Sequence, residues 1–189
     1  DEQRHVLQLI IAGTLQEFEE KFTHLYDQSR SLMGFLQETG MPVPHRFMTT
    51  AETSLNLRLQ KMFSADQFEM SSLMEVVTEI NTWNVALDSV ALEFIISHRL
   101  ERTMASLLVE PENTLLLSEL ILLVEAVASL PLAVNLWQTQ NMFWDLLHSS
   151  AVAILPDSES ANGHWDALRQ LGELLYFNAG AVLAAKGEI

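Results

Sequence analysis

Residues 11–36 read IAGTLQEFEEKFTHLYDQSRSLMGFL. Ile11, Leu15, Phe18, Phe22, Leu25, Ser29, Leu32 and Leu36 step by alternating fours and threes. That spacing lays a single apolar seam along a helix, because residues three and four apart share a face. It suits a long helix packed on a near-antiparallel neighbour, and it predicts a helix from about Glu2 to Thr39. Gly40 is placed to stop it, and Met41-Pro42-Val43-Pro44 prevents resumption. No alternating β-branched run bounded by turn residues interrupts this pattern elsewhere.

Working outward, the same period recurs. A second helix is predicted from near Pro44, which suits a first helical turn, with Met48, Ala51, Leu55, Leu59 and Met62 as its stripe. Ser64-Ala65-Asp66-Gln67 reads as a capping box for a third helix that turns Met70, Leu73, Val77 and Ile80 inward. Trp83 to Leu87 reads as a connector, and Asp88 as the N-cap of a fourth helix ending near Val109, before Pro111. Asn113 or Thr114 is placed to cap a fifth helix that is apolar on nearly every side, the mark of a central element. Pro131 is predicted to start a sixth helix running to about Leu155. Residues 156–163 read as a loop. A last helix carries Trp165, Leu168, Leu171, Leu175, Ala179 and Val182, and its tail at residues 186–189 is expected to fray. The expectation is an all-α protein: a single helical bundle of about six to seven helices over residues 1–189.

Composition narrows the function. Of 189 residues, 49% are hydrophobic and 19% charged, enough to build a core without a disulfide or a structural metal. Ten Lys+Arg against twenty-five Asp+Glu give a formal net charge of −15. Nucleic acid and anionic membranes are therefore poor partners, since both are held by clustered basic residues. There is no cysteine, which excludes a thiolate metal site or a cysteine nucleophile and leads to the expectation of a cytoplasmic location. The stretch Leu115–Trp137 is apolar, but Glu119, Glu125 and Pro131 argue against a membrane span. The chain opens without Met and without a basic, apolar leader, and it is expected to be a fragment of a longer one.

Catalytic signatures are sparse. A di-iron bundle needs two Glu-x-x-His pairs. The nearest matches are Asp145 with His148 and Glu20 with His24, one of each. His5, His24, His45, His98, His148 and His164 are scattered. There is no glycine-rich phosphate loop and no Gly-x-Ser-x-Gly elbow. No metal and no cofactor is therefore expected, while composition leaves a Ser-His-Asp site open.

The sixth segment carries the most chemistry. At about 100° per residue, Leu132, Leu136, Phe143, Leu147 and Ile154 gather on one side as the core face. Trp137, Asn141, Trp144 and His148 form a second stripe, with Gln140 between the two. A pyranose ring offers an apolar face that tryptophan covers and hydroxyls that bond side-chain amides, so this stripe fits a carbohydrate. The competing reading is a second buried face packed on another helix.

Asn135-Leu136-Trp137-Gln138-Thr139-Gln140-Asn141, preceded by Leu130-Pro131, resembles the "LP…NLW..QN" block of a helical domain of unknown function. That domain follows the catalytic domain in glycoside hydrolase family 57-like proteins of bacteria and archaea. Asp1-Glu2-Gln3-Arg4 is similar to the start of its helical part. Met33-x-Phe35-Leu36 with Gly40-Met41-Pro42-Val43-Pro44 resembles its "M.FL…G.P.P" turn. Phe47, Ala51, Glu52, Leu55 and Asn56 resemble its "F…AE..LN" segment, and Trp83 through Asp88 its "W.V.LD" connector. The ordered match runs to about Leu147. The resemblance implies a parent that is a retaining glycosidase or transglycosidase acting on α-glucans, with its catalytic carboxylates on an N-terminal barrel outside this sequence. This chain would buttress that barrel and line part of the cleft, without being catalytic alone. Trp137, Gln140, Asn141 and Trp144 are the expected substrate-binding residues, with Glu52 and Asn56 as a second set. The alternative is a self-contained interaction module, a homodimer paired through the seam of the first helix, with Trp137 and Trp144 buried inside each subunit.

Overall fold

A computed structural model describes residues 2–65, 69–148 and 159–177. Seven helices occur among them: α1 (Glu2–Glu38), α2 (His45–Ser64), α3 (Met70–Trp83), α4 (Ser89–Val109), α5 (Thr114–Ser129), α6 (Trp137–His148) and α7 (Glu159–Leu174). The described residues contain no strand. The all-α expectation holds, and every helix from α1 to α7 feeds one contiguous cluster of buried side chains.

The local stop and start signals behave as their chemistry dictates. Gly40 adopts φ +69°, and Met41 N–H donates to the Leu36 carbonyl at 2.8 Å, the left-handed closure that glycine permits. Asp88 accepts from Ala91 N–H, and Asn113 from the N–H groups of both Leu115 and Leu116, so orphan amides at both helix starts are satisfied. Asn84 takes φ 49° after α3, and Val85 N–H reaches back to the Ile80 carbonyl at 3.0 Å.

Four expected boundaries are corrected. Ser64 is the last residue of α2 rather than a cap, because Ala65 N–H still bonds the Lys61 carbonyl. The third helix starts later, at Met70, where the Glu69 carboxylate accepts from the hydroxyls of Ser71 and Ser72. Asp66 and Gln67 lie outside the described residues. The sixth helix starts at Trp137, not Pro131. Leu132, Val134 and Leu136 are half-buried and alternate with exposed Ala133 and Asn135, the period of an extended strap. The Asn135 side chain then accepts from Trp137 N–H at 3.0 Å and opens the helix. Its end near Leu155, with Ile154, lies outside the described residues. Finally, α7 begins at Glu159, inside the segment read as a loop, and ends at Leu174. Leu175 and Tyr176 form a turn, Tyr176 at φ 63°, closed by Phe177 N–H on the Gly172 carbonyl at 2.7 Å. Ala179 and Val182 lie outside the described residues.

The first helix needs a larger correction. α1 and α2 form a hairpin joined by Arg58 to Asp27 and Lys61 to Glu19. α1 has 37 residues and α2 only 20. Tyr26, Ser29 and Met33 are buried where the two overlap. Of the predicted seam, only Ser29 is buried, and Phe22 and Leu36 are half-buried; Ile11, Leu15, Phe18, Leu25 and Leu32 are exposed. Beside α2 the buried line runs through Tyr26 and Met33 rather than their seam neighbours Leu25 and Leu32, and α2 ends before it can cover the early turns.

α5 packs on α3, α4 and α7. Leu117, Leu120, Ile121, Leu123, Val124, Ala126 and Val127 are buried along it, which accounts for its nearly all-round apolar sequence. No helix among the described residues is long and apolar enough to cross a membrane.

Candidate functional site

α4 has two faces of opposite character. Leu92, Ile96, Leu100, Met104 and Leu107 are buried. The other face presents Val90, Glu93, Phe94, Ser97, His98 and Glu101, which are spaced by threes and fours and so lie along one side of the helix. The strap and first turn of α6 pass beside this face, held there by the Ser97 hydroxyl on the Asn135 carbonyl at 3.4 Å. Between them lies an open groove of about 360 Å³, closed on the α6 side by Asn135, Trp137 and Gln138.

Trp137 is 65% exposed and Phe94 74%. The Phe94 ring stacks on His98 with centroids 6.4 Å apart and planes 6° apart, which sets it as a flat platform. Glu93 and Glu101 bring carboxylate acceptors, while Asn135 and Gln138 bring amide donors and acceptors. No arginine or lysine lines the groove, so it is built for a neutral or cationic group and not for phosphate.

The expected site residues separate. Trp137, Asn141, Trp144 and His148 all lie outward, which corrects the expectation that both tryptophans are buried inside one subunit. Only Trp137 reaches the groove. Trp144 sits further along α6 against His148, 4.0 Å between ring centroids, and near Phe177 at 6.3 Å. Gln140 is half-buried and its amide donates to the Leu175 carbonyl at 3.0 Å, so it fastens the turn after α7 rather than facing a ligand. Asn56 is likewise spent. It donates to the carbonyls of Glu52 and Ala86 and accepts from Asp88 N–H at 2.7 Å, tying the α3–α4 connector to α2. Neither Asn56 nor the half-buried Glu52 lines the groove.

From the sequence, Phe94, Glu93 and Glu101 are not singled out, and His98 stands only as one of six scattered histidines. The signal was present: Val90, Phe94, Ser97 and Glu101 keep helical spacing beside the core stripe of α4. That stripe drew no attention because its acids are common in so acidic a chain.

The described residues contain no group of three or more His, Asp or Glu side chains placed to hold a metal ion. His164 is buried, and burial lowers its pKa below the ordinary histidine value, against a weaker opposing pull from the Pro111 carbonyl and Glu112. No family model, curated protein or solved structure matches the chain.

Proposed function

We propose that this chain is the accessory helical domain of a glycoside hydrolase family 57-like enzyme acting on α-glucans. It buttresses a catalytic barrel and holds part of a glucan chain, and it is not catalytic alone. One observation carries the reading: Trp137 stands 65% exposed at a groove shared with Phe94, Glu93, Glu101, Asn135 and Gln138. Burying such a ring would be worth about 1.5–3 kcal/mol, so leaving two aromatics bare in one groove fits a surface kept for a ligand. Trp137 and Phe94 cover the apolar faces of successive sugar rings. The carboxylates and amides bond the hydroxyls. The block from Asn135 to Asn141, whose order resembles the family's, supplies the α6 wall of this groove.

The test is a titration of the chain with malto-oligosaccharides followed by tryptophan fluorescence. Saturable quenching is expected, with a Kd of about 0.1–1 mM, lost in Trp137→Ala and weakened in Phe94→Ala. A flat titration, or one unchanged by Trp137→Ala, would remove the sugar role.

A further inference from the structure

The sequence holds four tryptophans, and the fold sorts them into two pairs. Trp83 and Trp165 are half-buried and pack against the core. Trp137 and Trp144 are exposed, at 65% and 45%, and neither joins the core cluster. At about 100° per residue, these two point within about 20° of each other, roughly 10 Å apart along α6. Asn141 lies between them on the same face. It is exposed, and its amide forms no hydrogen bond with any described residue, whereas that of Gln140, one residue earlier, is spent on the Leu175 carbonyl. Trp144 is braced. The His148 ring lies 4.0 Å from it between centroids, and His148 Nδ1–H donates to the Trp144 carbonyl at 2.8 Å, which fixes that ring in turn. Phe177 approaches from the turn after α7, at 6.3 Å. An aromatic held this way and still nearly half open loses little freedom when a ligand covers it.

We infer that a glycan leaving the groove continues along α6 onto a second subsite made of Trp144 and Asn141, so that the ligand is a long oligosaccharide and not a di- or trisaccharide. The inference rests on the sugar reading of the groove. Three features support it. The first is room. The groove at Trp137 measures about 360 Å³, near the lower end for small-molecule sites, so a longer chain must run out of it. The second is order. Aromatic, amide, aromatic along one face offers covers for apolar ring faces at both ends and a free hydrogen-bonding group between them for hydroxyls. The third is charge. The chain carries twenty-five acids, yet residues 137–144 contain no acid, lysine or arginine. An uncharged chain can therefore lie along this stripe without stripping water from an ion. Once one end is held at Trp137, contact with Trp144 is intramolecular and adds to affinity at little further cost.

Calorimetric titration of the full chain with maltotriose and with maltoheptaose tests it. Maltoheptaose should bind about tenfold more tightly. Trp144→Ala should bring maltoheptaose down to the maltotriose affinity and leave maltotriose unchanged. Asn141→Ala should remove part of the gain, and Trp144→Phe should keep most of it. Circular dichroism should be the same for all three variants, because these side chains lie outside the core. Equal affinity for the two lengths overturns the inference. So does a gain that survives Trp144→Ala, as the larger number of binding registers on a longer chain would give, or a Trp144→Ala loss equal for both lengths. In each of these cases maltotriose still binds the wild-type chain and the reading of the groove stands. Binding of neither oligosaccharide removes that reading and the second subsite with it.

Discussion

Two corners of this molecule use nearly the same side chains to opposite ends. Between α1 and α3, Tyr26 donates from its hydroxyl to Glu79, Arg30 pairs with Glu79 at 2.7 Å, and the Trp83 indole N–H donates to the Tyr26 oxygen at 3.1 Å. Tyr26 is fully buried and Glu79 nearly so, and every polar group there meets another from its own fold. Between α4 and α6, tryptophan, phenylalanine and histidine stand open to solvent beside two half-buried glutamates around a groove. An aromatic and a carboxylate on a helix do not announce a site by their identity. What separates the corners is whether the protein has already spent their hydrogen bonds.

That contrast sets an order of expected effects on stability. Glu79→Ala should be the most damaging, at about 2–4 kcal/mol, because it leaves the buried Tyr26 hydroxyl and one side of Arg30 without their partner; urea unfolding measures it. If it proves neutral, the inner corner is not the matched network described. Alkali attacks the same corner. Burial, followed by the hydrogen bond and charge of Glu79, holds the Tyr26 pKa well above the ordinary tyrosine value. The unfolded chain therefore releases this proton first, near pH 10. The contribution is intact below that pH and is lost as pH rises through it. Tyr26→Phe should cost about 1 kcal/mol at neutral pH and flatten this alkaline loss in a melting series.

Acid finds a different weak point. Buried His164 has its pKa pushed down, so the unfolded chain gains a proton first as pH falls below about 6.5. Stability present above that pH should decline beneath it, and His164→Phe should soften the decline. Next comes Gln140→Ala, expected to lose about 0.5–1.5 kcal/mol with its bond to the Leu175 carbonyl while leaving the sugar titration intact. Trp137→Ala and Asn141→Ala should move stability by less than about 0.5 kcal/mol, and only the former should abolish the fluorescence response. A groove variant that destabilises as strongly as Glu79→Ala would erase the distinction between the two corners.

Much of this architecture was readable from residues alone. Gly40, Asp88 and Asn113 act within three or four positions of themselves, so their roles needed no knowledge of the rest of the chain. Pro131 misled for the opposite reason. Proline permits a helix start, but the half-buried alternation of Leu132, Val134 and Leu136 against the core favours an extended strap, and that preference comes from what lies beneath it. Gln140 and Asn56 misled in the same manner. Amides beside tryptophan or glutamate suit a sugar, yet each had a backbone carbonyl from a distant segment within reach. Phe94 was overlooked because its meaning depends on a strap arriving from forty residues further along.

The amino-acid order set the helices, most of their caps and the direction of each apolar face, since all three follow from spacing and short-range hydrogen bonds. It carried the seam of α1 from Ile11 to Leu36 as one continuous feature. Folding alone left its early turns bare, because α2 is shorter than its neighbour and burial requires a partner alongside, and beside α2 it turned Tyr26 and Met33 inward in place of Leu25 and Leu32. Folding alone also assembled the α4–α6 groove, since apposition of two helices is a property of the whole packed core and of no local stretch within it.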